Sequence, residues 1–228
     1  MLLVITGLKP GLNETTFEAK PVKGHSIVGK TRMETFFDGV VAIIITIMVL
    51  EMKVPHGESI ETLFPLIPVL LSYVLSFVYL GIYWNNHHHM MHACRSVTGS
   101  MLWANLHLLF WLSLIPFTTG WMGENHFAKL PAAAYGAVLL MSGIAYLILQ
   151  QRIIASQGED SLLKKAIGSD WKGKLSAVLY TAAILLAFLW SWLSVAIYVF
   201  VALMWVIPDR RIERILTGGK TIGASGGE

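Results

Sequence analysis

Charged residues are scarce in this sequence. Only 14% of the 228 residues are Asp, Glu, Lys or Arg, whereas 55% are hydrophobic and the mean hydropathy is +0.62. A soluble domain carries about a quarter charged residues, and here the charges cluster and leave long uncharged stretches. These features exclude an ordinary soluble domain and indicate an integral membrane protein. The net charge of +3 therefore says little about nucleic-acid binding.

Cysteine and catalytic motifs are also missing. Cys94 is the single cysteine, which excludes an intrachain disulfide and a metal site built from several cysteines. The sequence contains no Walker A loop, no HExxH, no GxSxG and no TVGYG-type potassium filter. We therefore expect a protein that is not an enzyme and that holds no cofactor.

The N-terminal stretch lacks the pattern of a secretory signal peptide. No basic region precedes its short apolar run, and Pro10 and Gly11 interrupt that run early. We interpret residues 1–30 as a polar cytoplasmic tail, 31–210 as a transmembrane domain and 211–228 as a second cytoplasmic tail.

Long apolar stretches fill the transmembrane domain. A spanning helix needs about 20 mostly apolar residues, and the prolines at positions 65, 68 and 131 suit the first turn of a helix. The uncharged intervals predict four spans, at 36–54, 66–86, 101–119 and between Lys129 and Arg152.

The last apolar interval, from Lys174 to Asp209, is too long for one span. As a single helix it would extend about 51 Å at 1.5 Å per residue, well beyond a hydrocarbon core of about 30 Å. Splitting it at Trp190-Ser-Trp192 gives two short helices, which makes six spans in total.

The distribution of basic residues supports this count. Lysines and arginines cluster before the first span, in the loop at 151–174 and after the last span, and cytoplasmic loops collect such residues. Keeping that loop and the C-terminal tail on one side requires an even number of crossings between them. We therefore predict that both termini are cytoplasmic. Five spans with an external tail is the alternative, which the charge distribution disfavours.

The first span carries a narrow stripe of side chains. At about 100° per residue, Gly39, Ile43, Thr46 and Leu50 fall on one arc, with Ile47 at its edge. Glycine and threonine are common where membrane helices touch, so the spacing alone favours a packing face. The alternative is that the stripe lines an axial pathway in an oligomer, where a narrow hydrophobic ring gates by dewetting.

Asp38 lies at the start of the same span. An ionised carboxylate near the membrane is costly and usually has a partner. That partner is the positive end of the helix dipole, Arg32, or a group from the second or third span. We favour a structural lock at the cytoplasmic end over direct contact with an ion.

A histidine-rich stretch, WNNHHHMMH at 84–92, follows the second span. His88 and His92 are spaced i, i+4, and His89 and His92 are spaced i, i+3, so either pair suits zinc. No further ligand lies close in sequence. We therefore favour a polar helix end that anchors at the interface and bonds to the first span. A pH-sensitive contact with Asp38 is the alternative.

The third span contains polar residues and a proline. Asn105, His107 and Ser113 should face protein rather than lipid, as polar groups within spans usually do. Pro116 frees the carbonyl of Leu112 and is expected to bend the helix.

Three of these stretches together resemble a known family, the lysosomal potassium channels called transmembrane protein 175, in their shorter prokaryotic form. The sequence RMETFFD at 32–38 is similar to the family's Arg-x-x-x-Phe-Ser-Asp motif. YWNNHH at 83–88 and WANLHLLFWLSLIPFTT at 103–119 resemble the family's second and third helices. The similarity is strong across 31–126, and for 127–210 it rests mainly on hydropathy.

The resemblance implies an all-α membrane protein with six helices per subunit, four identical subunits and a central pore lined by the first helix. It implies a constriction of aliphatic side chains, which are Ile43, Ile47 and Leu50 here, with Thr46 as a polar layer beside them. On the basis of the resemblance, we therefore interpret the stripe on the first span as lining a pore and not as a packing face.

The resemblance also implies scaffold roles near the cytoplasmic end, and it exposes one departure. Phe37 stands where the family motif has serine, so any tie made by that hydroxyl is lost or rebuilt. The scaffold positions are Arg32, Phe36, Asp38, His87, His88 and Asn105.

These expectations define a function. The chain is expected to be a potassium-preferring cation channel in a prokaryotic plasma membrane, passing K⁺ and other monovalent cations. A proton- or ion-coupled secondary transporter is the main alternative, although such carriers often have inverted repeats and broken helices. A membrane protein that binds a metal or haem through its histidines is the third reading.

Overall fold

The structure is a computed structural model of the chain, and it describes residues 25–94, 96–158, 163 and 170–206. Every regular element in these ranges is a helix. The elements are α1 (His25–Leu50), a 3₁₀ helix (Ile60–Leu66), α2 (Ile67–His92), α3 (Gly99–Ser113), α4 (Ile115–Glu124), α5 (Lys129–Gln157), α6 (Trp171–Ala187) and α7 (Ser191–Val206).

The helices fit the prediction of six membrane segments when α3 and α4 are counted as one interrupted segment. By length and composition, four segments in the described residues can cross a membrane, and α7 is a shorter apolar helix. The predicted split of the last apolar interval is confirmed, because α6 ends at Ala187 and α7 begins at Ser191. The Trp190 N–H closes the turn on the Leu186 carbonyl at 2.8 Å.

Two helices are longer than their apolar stretches predict. α1 begins at His25, well before Phe36, because no proline interrupts the polar residues in between. α2 continues through the histidine-rich stretch to His92, since none of those residues breaks a helix. Residues 1–24 and 207–228, which hold most of the two predicted tails, lie outside the described residues.

Pro116 interrupts the third segment as predicted. α3 stops at Ser113 and α4 starts at Ile115, with the proline in its first turn. Proline has no N–H to donate to the Leu112 carbonyl, and at the break the Leu114 N–H donates to the Trp111 carbonyl at 3.2 Å.

Contacts at the helix ends show that the segments alternate in direction. At one end, the Gln157 side chain donates to the carbonyl of Ala93 at 2.7 Å. At the opposite end, Lys53 pairs with Glu124 at 2.8 Å. We call the first of these the basic end, because among the described residues it holds Lys30, Arg32, Arg152, Lys172 and Lys174.

The subunit has two buried hydrophobic clusters. The first joins α1, α2, α3, α4 and α5, and the second joins α2, α4, α5, α6 and α7. α1 packs mainly on α2, α3 and α4, at one side of the subunit. This position leaves a large part of its surface uncovered.

Buried hydroxyls tie the second cluster together. The Ser76 hydroxyl lies 2.6 Å from that of Thr119 and 3.0 Å from that of Tyr135. The Tyr198 hydroxyl donates to the Ala132 carbonyl at 3.1 Å. Side-chain hydrogen bonds of this kind hold helices together where lipid supplies no hydrophobic force between them.

Gly136 allows α7 to approach α5 closely, and this generates a prediction. A Cβ at this position would overlap the Tyr198 hydroxyl and lie 3.0 Å from Cγ1 of Ile184. We expect Gly136→Val to destabilise the protein by about 1–3 kcal/mol through overpacking, measured by unfolding of the purified protein in detergent. Gly81→Val is the control, because a Cβ there meets open space. Equal losses in the two variants would contradict the assignment.

Candidate functional site

α1 has one face buried against the subunit. The buried side chains recur every three or four residues, as expected for a helix that packs on one side. Each is at most 3% exposed, and they are Met33, Phe37, Val41, Ile44 and Met48.

The opposite face of α1 carries the predicted stripe and is exposed. Ile43 is 59% exposed, Ile47 40% and Leu50 81%; Gly39 and Thr46 are exposed as well. The stripe is therefore not a packing face within the subunit. It must meet lipid, another subunit or a pathway between subunits.

Thr46 presents an oxygen on this exposed face. Its hydroxyl donates a hydrogen bond to the Ile43 carbonyl at 2.9 Å. A hydroxyl has one proton and two acceptor lone pairs, so this bond uses the proton and leaves the lone pairs available. The Thr46 oxygen is thus arranged as an acceptor within an otherwise apolar strip.

Asp38 has its partner on the second segment, which confirms one of the predicted alternatives. Its Oδ1 accepts a hydrogen bond from Nε1 of Trp84 at 2.9 Å. Arg32, the other predicted partner, is exposed and makes no ion pair with Asp38 in the described part of the chain. The aspartate therefore fixes α1 to α2 at the basic end.

A stacked pair of rings lies beside this bond. The Phe37 ring stacks on the His87 imidazole, with centroids 3.7 Å apart and planes 1° from parallel. His87 Nε2 lies 3.1 Å from Oδ1 of Asn105 and donates to it. All three side chains are buried, so one continuous contact joins α1, α2 and α3. The stack of Phe37 on His87 joins α1 to α2 at the position where the family motif has serine.

The other scaffold residues face outward in the isolated subunit. Phe36 is 51% exposed, and Arg32 and His88 are exposed too. The imidazoles of His88 and His92 meet edge to face, with centroids 4.7 Å apart. Among the described residues, no group of three or more His, Cys, Asp or Glu side chains is placed to hold a metal ion.

The third segment follows its prediction in part. Asn105 is buried and bonded to His87, as expected. Ser113 is exposed and does not pack against the chain's own helices, so the prediction that it faces protein stays a prediction. Its hydroxyl donates within its own helix to the Phe110 carbonyl at 2.7 Å, so its proton has a partner without any contact to another helix.

Sequence reasoning treated Phe37 only as a departure from a motif, whereas the structure makes it the fully buried anchor of α1. The signal was present in the sequence. Phe37 belongs to the three-to-four-residue apolar period that runs from Met33 to Met48, opposite the stripe.

Loss of the Phe37 ring should destabilise the subunit. We expect Phe37→Ala to cost about 3–5 kcal/mol of unfolding free energy, because it removes a large buried ring and leaves His87 without its stacking partner. The measurement is unfolding of the purified protein in detergent. The control is Phe110→Ala, which truncates a ring that is 55% exposed and should change stability by within about 0.5 kcal/mol. A loss no larger than the control's would contradict the anchoring role.

Comparisons with known proteins agree with this architecture. The sequence model of the family described as "Endosomal/lysosomal potassium channel TMEM175" matches residues 32–116. A protein named potassium channel from Chryseobacterium sp. (strain P1-3) is 54% identical over 187 residues, covering 82% of this chain and 97% of the relative. A potassium channel from Chamaesiphon minutus is 30% identical, over 73% of this chain and 88% of its own length.

A solved structure gives the same result for the fold. The crystal structure of a lysosomal potassium-selective channel TMEM175 homolog from Chamaesiphon minutus superposes with a TM-score of 0.68 and 28% identity. It covers 80% of this chain and 98% of the solved chain. These matches extend over most of the transmembrane helices as well as the opening motif. The chain belongs to the TMEM175 family of potassium channels.

Proposed function

We propose that this protein is a potassium-preferring cation channel in which four identical subunits surround a pore lined by α1. The observation that carries the proposal is the exposed stripe on α1, which the subunit's own helices leave uncovered. Relatives named as potassium channels support the choice of ion.

The stripe supplies a constriction with several layers. Ile43 and Ile47 lie one turn apart, about 6 Å along the axis, and Leu50 follows about 4.5 Å further at 1.5 Å per residue. Four copies facing one axis place rings of branched aliphatic side chains in series. A narrow ring of this kind closes to ions by excluding water, so these side chains act as the gate.

Thr46 gives the permeating ion an oxygen within the constriction. Its lone pairs are available because its proton is bonded to the Ile43 carbonyl. A bare hydrocarbon ring offers a partly dehydrated cation nothing to bind. A weakly polar ring favours K⁺ over Na⁺ modestly, because K⁺ loses its water more readily.

The contacts at the basic end set the rotation of α1. Phe37 and Asp38 point to different sides of the helix, and each is held by a different group of α2, His87 and Trp84 respectively. Two attachments in different directions prevent the helix from turning about its axis. A turn of one residue, about 100°, would remove the stripe from the pore, so this lock preserves the constriction.

The basic end is proposed to face the cytoplasm. The described residues place five Lys and Arg side chains there and two, Lys53 and Lys129, at the opposite end, as the charge rule for cytoplasmic loops expects. Both termini are then cytoplasmic, and the bacterial sources of the relatives support a prokaryotic plasma membrane.

One structural feature favours the transporter alternative. The third segment is broken at Leu114, and broken helices near mid-membrane are common in secondary transporters. The break, however, leaves polar groups bonded within the subunit, since the Thr118 hydroxyl donates to the Leu114 carbonyl at 3.2 Å. Flux measurements distinguish a passive channel from a coupled transporter.

Changing the aliphatic rings should weaken ion selection. We expect Ile43→Ser or Leu50→Ser to raise Na⁺ flux and lower the K⁺/Na⁺ flux ratio several-fold, because the ring becomes wider and more polar. The measurement is voltage-driven flux from liposomes holding the purified protein, with a K⁺ gradient and then a Na⁺ gradient. Leu203→Ser is the control on an exposed face of α7. Unchanged ratios in the stripe variants would contradict the constriction, and flux that requires a proton gradient would indicate a carrier.

A cysteine at the polar layer should create a metal block. Burial raises the pKa of the Cys94 thiol, which makes it a poor ligand, and Cys94→Ser removes it from the background. In that background Thr46→Cys should make flux sensitive to Cd²⁺, since four thiols around one axis suit a soft cation. Phe200→Cys, on the exposed face of α7, should leave flux insensitive. Cd²⁺ block that is equal in both variants, or absent from both, would contradict a pore lined by α1.

A further inference from the structure

A cavity lies away from α1, between α2, α5, α6 and α7 near the basic end. Its volume is about 60 Å³, and its lining is almost entirely carbon. The lining is rich in aromatic side chains, which include Tyr79, Tyr83, Tyr146, Tyr180 and Trp205. None of the proposed pore residues reaches it.

The cavity runs from the membrane interface into one leaflet. Gly173 and Trp205 line its outer part, and they lie in the first turn of α6 and the last turn of α7. Tyr83 and Tyr79 line its inner part, nine and thirteen residues before the end of α2 at His92, which is about 14 and about 20 Å at 1.5 Å per residue. On the span predicted at 66–86, Tyr83 lies one turn inside the membrane end of α2, which is the level of the ester groups and first methylenes of that leaflet.

Two tyrosine hydroxyls at this cavity have no protein partner. The rings of Tyr83 and Tyr146 meet edge to face at 6.2 Å, and neither hydroxyl makes a hydrogen bond among the residues that the structure describes. Tyr83 is only 8% exposed. A hydroxyl that faces an apolar cavity without a partner is costly, so an acceptor inside the cavity would stabilise both hydroxyls.

Neighbouring buried tyrosines show that the fold supplies partners elsewhere. Tyr79 donates to the Tyr198 carbonyl at 2.6 Å, and Tyr198 donates to the Ala132 carbonyl at 3.1 Å. Tyr135 lies 3.0 Å from the Ser76 hydroxyl. Among the described residues, Tyr83 and Tyr146 therefore differ from Tyr79, which lines the same cavity but has a hydrogen-bond partner.

Among the described residues, two lysines lie close to the outer part of the cavity. The Lys172 ammonium lies 5.9 Å from the centre of the Trp205 ring and donates to the Met204 carbonyl at 3.3 Å. Lys174 follows on the same helix. Among the described residues there, the carboxylate of Asp170 accepts from the Gly173 N–H at 3.3 Å and caps α6. A phosphate at this level would meet lysine ammonium groups.

We propose that this cavity binds one glycerophospholipid from the leaflet at the basic end. The first methylenes of an acyl chain fill the apolar space, the ester carbonyl accepts from Tyr83 and Tyr146, and the phosphate lies towards Lys172. An anionic headgroup is preferred because of the two lysines.

The test is photolabelling of the full-length protein in lipid nanodiscs. The probe is phosphatidylglycerol with a diazirine on an early carbon of one acyl chain, and labelled sites are mapped by mass spectrometry. We expect the cavity wall around Tyr83 and Tyr146 to be labelled several-fold more than the exposed α7 residues Val199 and Phe200. Labelling no higher than at α7 would overturn the proposal.

Two kinds of variant make the test specific. Gly143 lines the cavity, and a Cβ there meets only the Tyr83 hydroxyl, at 3.9 Å. Gly143→Leu should therefore fill the space and lower wall labelling several-fold. Gly81→Leu, which points into open space, should not. Equal labelling in Gly143→Leu and the unchanged protein overturns the proposal.

Conservative variants keep the test decisive if the leucine disturbs folding. Tyr83→Phe combined with Tyr146→Phe keeps both rings and should lower wall labelling, because the ester loses its donors. Lys172→Gln should reduce the preference for the phosphatidylglycerol probe over the matched phosphatidylcholine probe. The lipid assignment is overturned if neither variant changes the labelling. It is also overturned if a small alcohol removes the labelling, because the cavity would then bind small molecules and not lipid. None of these readouts uses ion flux, so the result is independent of the proposed channel.

Discussion

The stack of Phe37 on His87 is the contact on which the arrangement of α1 depends. With planes 1° from parallel and centroids 3.7 Å apart, the two rings fill the junction of α1, α2 and α3. The bond between Asp38 and Trp84 adds a second attachment on another side of the helix. Together they determine which face of α1 is buried and which face stays exposed.

The exposed face follows directly from this orientation. The apolar strip that includes Ile43 and Leu50 does not contact the core, because the opposite apolar face of α1 already packs against it. A single chain therefore has a packed core and one exposed apolar face on α1. The proposed tetrameric channel would use this exposed face to line its pore.

The half of the subunit away from α1 is held by a different chemistry. Hydroxyl pairs and close contacts at glycine, such as that between Gly136 and Tyr198, replace the ring stack. Lipid tails are as apolar as the side chains, so hydrogen bonds and close packing supply much of the cohesion. Tyr83 and Tyr146 differ, because among the described residues their hydroxyls have no hydrogen-bond partner. The ester carbonyl of a bound lipid would supply one.

The sequence by itself determined the helical segments, the split before Ser191, the break near Pro116 and the stripe on α1. These depend on local rules, namely hydropathy, helical period and the missing N–H of proline. The tertiary structure decided the rest: that Asp38 pairs with Trp84 and not Arg32, and that Phe37 is an anchor. Such partners come from distant parts of the chain, and only the relative rotation of packed helices determines which side chains meet.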